Sequence, residues 1–310
     1  MIIVTGSTGF LGKRVCNLLD SKKIDYLAIS KTNGPDLCDQ KSTISFFDKK
    51  KPKKIINCAA FVGGIQFGYK YPAEIFHKNL NMTLNLLEAS KKNKIQRIVN
   101  PISNCVYPSS SKFFKESDLW NGAMHESVMV YGLTRRASLI GSWAYAKQYN
   151  LDVINLIFSN MYGPDDHFHE ERSHALGALV MKTVRAKLLK KKEVVIWGSG
   201  KPIREWLHVD DAAEAMVRGL DVKSFIDPIN IGVGKGISIM EMANLIKDIV
   251  GYEGEFIFDK SKSDGAPHKT SDGTIGFKHF GWCPSRSFQQ GLKETVDWYI
   301  NNLSEENKII

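Results

Sequence analysis

The sequence has few cysteines for its length and no closely spaced pair of them. Five cysteines are scattered over 310 residues, at positions 16, 38, 58, 105 and 283, without a CxxC motif. This odd, dispersed set excludes a disulfide framework and the usual zinc-ligand patterns. Residues 2–4 form an apolar run that follows Met1 directly and leaves no room for a signal peptide. We therefore expect reduced thiols and a cytoplasmic location.

Long apolar runs and low-complexity segments are also lacking. The longest apolar stretches have the length of strands, which is too short to span a membrane. The composition, 43% hydrophobic and 24% charged, is that of a globular protein. A chain of this size can bury about three quarters of its unfolded surface, so it needs no metal or disulfide to fold. We expect one or two domains.

Acidic residues are fewer than basic ones, 33 against 42, and the net charge is +9. Such an excess fits nucleic acid, an anionic membrane or small anionic ligands as partners. No recognised nucleic-acid-binding motif accompanies the charge. We therefore expect neither nucleic acid nor membrane as a partner.

Short apolar strands alternate with amphipathic helices in the first half of the chain. Strands are predicted at residues 2–5, 26–30, 54–60, 97–105, 153–159 and 228–232, and helices at 79–90, 127–148, 238–250 and 287–302. This order predicts an α/β fold, a doubly wound parallel Rossmann sheet. The alternation becomes irregular after residue 163, which predicts a smaller, discontinuous second domain. The predicted division is 1–163 with 209–234, and 164–208 with 235–310.

A glycine-rich turn lies between the first strand and the first helix. Its G-x-x-G-x-x-G spacing suits a tight turn, close approach to a pyrophosphate and close helix packing. The phosphates would lie at the positive end of the helix. The alternative is an ordinary glycine-rich turn without a ligand. The predicted cofactor contacts here are Gly6, Ser7, Thr8, Gly9, Phe10, Leu11 and Gly12.

The end of the second strand carries no acid. An NAD enzyme usually has a carboxylate there for the ribose 2′-hydroxyl, whereas this chain has Ser30 and Lys31. A hydroxyl and a cation suit a 2′-phosphate, which favours NADP(H), and Lys13 or Arg14 could assist. Asp36 and Leu37 follow where the adenine would lie. The alternative is that Ser30 and Lys31 are exposed loop residues without a ligand.

Several segments together resemble the extended short-chain dehydrogenase/reductase, or NAD-dependent epimerase/dehydratase, family. The finer resemblance is to its GDP-L-fucose synthases, NADPH-dependent epimerase-reductases of GDP-4-keto-6-deoxymannose. The segments that carry it are residues 5–12, 57–65, 103–108, 160–164, 173–174, 197–200 and 204–211, with Tyr131.

The resemblance implies a catalytic set. Tyr131 would donate a proton to the substrate carbonyl oxygen, and Ser103 would hydrogen-bond that oxygen. Arg135 stands where the family has lysine, so the charge is kept but the ribose contacts change. Cys105 would be the base and His174 the acid that invert C3 and C5. The non-catalytic alternatives are that Cys105 is a small buried hydrophobic residue and that His174 is a loop residue or contacts the ribose.

The resemblance also implies the ligand contacts of the two domains. The first domain would bind NADP(H), with Ala59, Ala60, Tyr131, Arg135 and His174 as further contacts. The second would bind the GDP-linked keto sugar. The implied substrate contacts are Val62, Gly63, Gly64, Ser103, Asn104, Asn160, Lys182, Trp197, Arg204 and Lys269. At Lys182 the family tends to have arginine.

A histidine-rich stretch follows residue 164. His167, His169 and His174, near Asp165, Asp166 and Glu170, could suggest a metal site. Their spacing matches no recognised ligand pattern, so we expect no metal.

The sequence thus predicts NADPH-dependent reduction of the C4 ketone of a GDP-4-keto-deoxy sugar, with C3/C5 epimerisation. One alternative is reduction alone, on a GDP-4-keto-heptose or another already epimerised GDP-sugar. An alternative of another class is a catalytically silent NADP-binding regulatory protein, with Arg135 as the inactivating change. The helices at 79–90 and 127–148 are long enough for the family's four-helix homodimer interface.

Overall fold

The computed structural model describes residues 1–169 and 172–303. The strands are β1 Ile2–Thr5, β2 Tyr26–Ala28, β3 Lys54–Asn57, β4 Arg97–Ser103, β5 Asp152–Phe158, β6 Asn160–Tyr162, β7 Glu193–Trp197, β8 Ile203–His208, β9 Ile229–Ile231, β10 Gly236–Ser238, β11 Glu255–Asp259 and β12 His268–Lys269. The helices are α1 Phe10–Ser21, α2 Gln40–Lys50, α3 Ile65–Lys70, α4 Pro72–Lys92, α5 Met129–Tyr149, α6 Ala175–Leu188, α7 Val209–Arg218, α8 Ile239–Val250, α9 Thr274–Phe280 and α10 Phe288–Asn301.

Six parallel strands form the central sheet, in the order β2-β1-β3-β4-β5-β9. Helices α1 and α7 cover one face, while α4 and α5 pack together on the other. Because both faces are covered, the inner strands are apolar along almost their whole length, as in residues 153–158. The order reverses between β1 and β3, so a crevice opens at the carboxyl ends of the strands there. The predicted Rossmann sheet is confirmed.

The second half of the chain forms two smaller sheets. Strand β8 pairs with β6, β10 and β12, and β7 pairs with β11. Helices α6, α8 and α10 pack around them, and both α8 and α10 begin with a capping box, at Ser238 and Ser287. These caps fix the helix starts where the sequence predicts them.

Two large apolar clusters accompany these layers. One surrounds Val4, Ile154 and Met216, and the other surrounds Leu179, Trp206 and Ile246. Phe280 and Trp282, which the predicted division assigns to the second domain, pack in the first cluster. Among the described helices, none is both long and apolar enough to cross a membrane.

Candidate functional site

The glycine turn after β1 is shaped for a backbone that must approach a ligand closely. Gly6 has φ +60, and a Cβ there would lie 2.6 Å from the backbone oxygen of Cys58. A Cβ on Gly12 would collide with the backbone oxygen of Gly6. Helix α1 starts immediately, with Gly9 as an N-cap that supplies no side chain. The first N–H groups of α1 therefore point out of the turn, as a pyrophosphate requires.

A buried hydroxyl ties this turn to the next strand. Thr5 Oγ1 donates to Asn57 Oδ1 at 2.6 Å and accepts the backbone N–H groups of Cys58 and Ala59, at 3.2 and 3.3 Å. These bonds hold the Ala59–Ala60 segment beside the glycine turn. The two predicted cofactor segments therefore lie together at the sheet's carboxyl edge.

The loop after β2 is polar and folded on itself. Ser30 is buried, and its hydroxyl contacts Thr32 Oγ1 at 2.8 Å and Asn33 Oδ1 at 2.9 Å. Lys31 is exposed and lies 3.9 Å from the carboxylate of Asp36. A cation and two hydroxyls thus stand at this loop, and no carboxylate occupies the strand end itself.

Lys13 and Arg14 do not face this loop. Lys13 pairs with Asp165 at 3.1 Å, and Arg14 pairs with Asp165 at 3.1 Å and with Asp210 at 3.6 Å. Both side chains thus have carboxylate partners from the second half of the chain, and their assistance with a 2′-phosphate stays a prediction.

Ser103 and Cys105 lie where β4 ends. Ser103 is the last residue of the strand, and its hydroxyl accepts the backbone N–H of Cys105 at 3.2 Å. Cys105 belongs to the short 3-10 turn that follows. The strand predicted at 97–105 thus ends at Ser103, so strand alternation does not set the direction of the Cys105 side chain. The serine hydrogen bond places the two side chains instead. Beside them, Asn104 is buried, with no partner for its Nδ2 among the described residues.

Tyr131 and Arg135 lie one helical turn apart on the same face of α5. The guanidinium carbon of Arg135 is 5.2 Å from the centre of the Tyr131 ring. Burial raises the pKa of the Tyr131 phenol, and the positive charge of Arg135 opposes that rise. The phenol therefore keeps its proton at neutral pH, as a proton donor must.

Asn79 is a residue that the sequence argument missed. Its side chain is fully buried on α4, and Oδ1 accepts from Arg135 and from the backbone N–H of Phe61, each at 3.0 Å. Nδ2 donates to the backbone oxygens of Phe61, at 2.9 Å, and Ile75, at 2.7 Å. One amide thus joins the catalytic helix to the loop after β3. Its place in the middle of an ordinary amphipathic helix gave no sequence signal.

His174 precedes α6 as its N-cap residue. The protein packed around the cleft lowers the pKa of its imidazole to about 4, and the nearby charges of His167 and Lys269 act in the same direction. A neutral ring at pH 7 follows, with one N–H proton to donate.

The segment before α6 touches the glycine pair of the loop after β3. Gly64 N–H donates to the backbone oxygen of Arg172 at 3.1 Å, and a Cβ on Gly64 would meet the backbone oxygen of Ser173. The predicted substrate loop of Val62, Gly63 and Gly64 is thereby placed next to His174.

The remaining predicted substrate residues lie on the smaller sheets or, in the case of Lys182, on α6. Trp197 is exposed, with the ammonium groups of Lys182 and Lys262 at 5.7 and 5.6 Å from its ring centre. Burial lowers the pKa of Arg204 to about 10, and its NH2 donates to the backbone oxygen of Asp264 at 3.2 Å. Asn160 donates to the backbone oxygen of Glu205 at 3.1 Å. Lys262 was not predicted.

Metal ligands do not converge in the part of the chain that the structure describes. No group of three or more His, Cys, Asp or Glu side chains there could hold an ion. Glu170, one member of the histidine-rich stretch, lies outside the described residues.

Comparisons with known proteins agree with this geometry. A model of the NAD dependent epimerase/dehydratase family matches residues 2–232. The chain is 36% identical to a GDP-L-fucose synthase of Arabidopsis thaliana, over 97% of this chain and 94% of that protein. It is 30% identical to the GDP-L-fucose synthase of Escherichia coli, over 97% of each.

Solved structures extend the comparison. A GDP-6-OMe-4-keto-L-xylo-heptose reductase from C. jejuni superposes with a TM-score of 0.92 at 26% identity, covering 97% of this chain and 98% of that one. A GDP-mannoheptose C4 reductase from Campylobacter jejuni with NADP bound superposes with a TM-score of 0.86 at 28% identity, covering 96% and 98%. The chain belongs to the NAD dependent epimerase/dehydratase family.

Proposed function

We propose that the protein is an NADPH-dependent reductase of the C4 ketone of a GDP-4-keto-deoxy sugar, and that it also epimerises C3 and C5. The observation that carries this is the contact of α5, which bears Tyr131 and Arg135, with the turn after β4, which follows Ser103 and contains Cys105. A Cβ on Gly132 would lie 2.6 Å from the backbone oxygen of Cys105, and the end of β4 lies at the same sheet edge as the glycine turn. The activities of GDP-sugar relatives over nearly the whole chain support the substrate class.

The residues at the end of β4 would handle the ketone oxygen. NADPH, when bound, supplies the hydride. Tyr131 gives its proton to the ketone oxygen as negative charge develops there, and the Ser103 hydroxyl donates a hydrogen bond to the same atom. Arg135 keeps a positive charge beside the phenol, which stabilises the phenolate that remains.

Epimerisation would use the same oxygen contacts. Protons at C3 and C5 are acidic because the C4 ketone lies next to both carbons. Cys105 removes such a proton, and the oxygen contacts of Tyr131 and Ser103 stabilise the enolate that forms. His174 would give its N–H proton to the opposite face of the carbon and regain a proton from solvent, while the proton taken up by Cys105 passes to solvent.

The cofactor turn would hold a pyrophosphate without side-chain contacts. The backbone N–H groups of residues 10–12 and the space left by Gly6 and Gly9 fit that group. Ser30, Lys31 and Thr32 would contact the 2′-phosphate, and the NADP bound to a similar reductase supports this choice. We propose 1–163 with 209–234 as the cofactor domain and 164–208 with 235–310 as the GDP-sugar domain.

A second candidate is reduction without epimerisation, on a GDP-linked 4-keto-heptose. Two heptose reductases are among the structures that superpose well, one of them with a TM-score of 0.92. Both candidates need the same Tyr131 chemistry. They differ in whether Cys105 and His174 remove and return protons at C3 and C5 of the sugar.

The test is NADPH oxidation with GDP-4-keto-6-deoxymannose and with GDP-4-keto-heptoses, with the products identified by NMR. Reduction of the hexose with inverted C3 and C5 supports the double activity. Reduction of heptoses with unchanged carbons supports the second candidate. Tight NADPH binding with no turnover on any of these compounds would contradict both and indicate a silent binding protein.

We further propose a homodimer built on α4 and α5. These helices pack together and leave one apolar face exposed, where Leu84, Ile140 and Trp143 are each more than half exposed. Light scattering should give twice the chain mass of 34.8 kDa. The double change Ile140→Glu, Trp143→Glu should halve it. A wild-type particle of one chain mass would refute the dimer.

We also propose a cytoplasmic location, since all five cysteines are free thiols. Fractionation of the source cells, with immunodetection of the protein, tests this directly. Recovery in the membrane or secreted fraction would contradict it.

A further inference from the structure

Lys269 is a buried lysine whose ammonium faces a thiol. Its residue is only 9% exposed, and Nζ lies 3.7 Å from Cys105 Sγ. Burying an ammonium is costly unless an anionic partner compensates. Within residues 1–169 and 172–303 no carboxylate forms an ion pair with it. The thiol is thus the partner that the fold provides.

Backbone pairing fixes the lysine at this place. Strand β12 runs beside β8, with Lys269 opposite Arg204. The following residues are held against the loop after β4, because Phe114 N–H donates to the backbone oxygen of Thr270 at 2.7 Å and Asp272 N–H donates to that of Phe114 at 2.8 Å. The backbone that carries Lys269 is therefore held between β8 and the loop after β4, which positions Nζ for its contact with Cys105 Sγ.

The groups around the sulfur are cationic or neutral. Lys269 comes from β12, Arg204 from β8 and Tyr131 from α5, and each of the last two interacts electrostatically with Cys105. His125 lines the same small pocket as Cys105 and Lys269. The Lys269 ammonium beside the sulfur attracts its anionic form.

We propose that Lys269 is a catalytic residue, the ammonium partner of the Cys105 thiolate that takes a proton from carbon. This role rests on the proposed epimerisation. In the step, the bond from carbon to hydrogen breaks and an S–H bond forms. The electron pair moves to the C4 oxygen as an enolate, held by Tyr131 and Ser103. Lys269 stays protonated throughout and holds the sulfur before and after the transfer. The sequence-based role of Lys269, contact with an anionic group of the substrate, places it away from the sulfur and predicts different results.

The test uses iodoacetamide on the full-length protein, without substrate, with each cysteine followed by peptide mass spectrometry. Since the thiolate is the reactive form, Cys105 of the wild type should react at pH 7 at least about tenfold faster than the exposed Cys283. In Lys269→Met, the rate at which iodoacetamide alkylates Cys105 should fall by about tenfold or more at pH 7, but little at pH 10. Lys269→Arg should restore most of the rate. Lys201→Met, at an exposed lysine, is the matched control.

Equal rates for Cys105 in the wild type and in Lys269→Met would overturn the proposal. The comparison of Cys105 with Cys283 in the wild type alone decides the matter if Lys269→Met does not fold. Reaction of Cys105 no faster than Cys283 would then overturn it.

A second readout uses substrate. In D2O with GDP-4-keto-6-deoxymannose, Lys269→Met should lose deuterium incorporation at C3 and C5 by about a hundredfold, a larger loss than that in its rate of reducing an already epimerised 4-keto sugar with NADPH. A raised KM with unchanged incorporation would show a binding role instead and overturn the proposal. If the wild type turns over no substrate, the proposed function fails. The alkylation rates still test whether Lys269 is the partner of the Cys105 thiolate.

Discussion

The guanidinium of Arg135 lies between two groups of the site, over the Tyr131 ring at 5.2 Å and against Asn79 Oδ1 at 3.0 Å. A lysine ammonium at this position would be a compact charge on a thinner stem. The planar fork therefore fits this chain's pocket, in which the Asn79 amide receives one of its N–H groups.

Two substitutions of Arg135 should distinguish the effect of its positive charge on catalysis from the effect of its planar shape. Arg135→Met should lower kcat by about a hundredfold, because the phenolate loses its cation. Arg135→Lys keeps the charge and should change kcat by less than about tenfold, with a higher KM for NADPH. Steady-state kinetics with melting temperatures checks both variants. A large gain of turnover in Arg135→Lys would show that the native site is impaired.

Asn79 should act as a positioning residue. Asn79→Leu leaves the Arg135 guanidinium and the Phe61 backbone groups short of partners, at a cost of about 1–3 kcal/mol for each buried group left unpaired. We expect a lower melting temperature and, in addition, a higher KM for NADPH and a lower kcat. The matched control is Asn81→Leu, on the same helix, whose amide contacts only the exposed ring of His77 in the described structure. Loss of stability with unchanged kinetics would leave Asn79 a structural residue.

The fall of the reduction rate at alkaline pH should reflect the ionisation of the Tyr131 phenol. Because the pKa of Tyr131 is raised, its proton is present at neutral pH and is lost only in strongly alkaline solution. Reduction should therefore stay constant with rising pH through the neutral range and fall well above it. In Arg135→Met the fall should move to still higher pH, since the charge that lowers the phenol pKa is gone. A shift to lower pH would contradict this assignment. Tyr131→Phe should abolish the activity.

Asp166 should make stability depend on pH. Burial raises the pKa of its carboxyl to about 7, and Oδ2 is buried without a partner in the described structure. A folded-state pKa above the unfolded value means stability that is full below the unfolded pKa and is lost as pH rises through 7. Asp166→Asn should therefore raise the melting temperature at pH 8 and barely change it at pH 4. The exposed Asp25→Asn serves as control. Equal effects at both pH values would contradict the burial argument.

The sequence was a good guide to the sheet and a partial guide to the site. Strand and helix periods predicted the six strands of the central sheet and the helices α5, α8 and α10 within a few residues, whereas α4 begins at Pro72, well before the predicted start at residue 79. The glycine turn and the order of strands predicted which edge of the sheet binds ligands. These features are local, or follow from the rules of parallel sheets.

Contacts between distant segments could not be predicted. Nothing in the order of residues brings Asn79 to Arg135 or Lys269 to Cys105, because each pair depends on how two elements dock. Arg14 is a further example of a contact that the sequence does not predict. Its position beside the glycine turn suggested a phosphate contact, whereas its side chain pairs with Asp165 and Asp210. Helix rotation decides between these outcomes, and a single sequence does not fix it.

The transfer of deuterium from NADPH that carries deuterium at both C4 positions of the nicotinamide tests the central claim most directly. With GDP-4-keto-6-deoxymannose, or failing that a GDP-4-keto-heptose, we predict one deuterium at C4 of the sugar product and none in the Tyr131→Phe reaction. Oxidation of the labelled NADPH without deuterium at C4 would contradict a C4 reductase. So would the absence of any oxidation by protein that binds NADPH tightly.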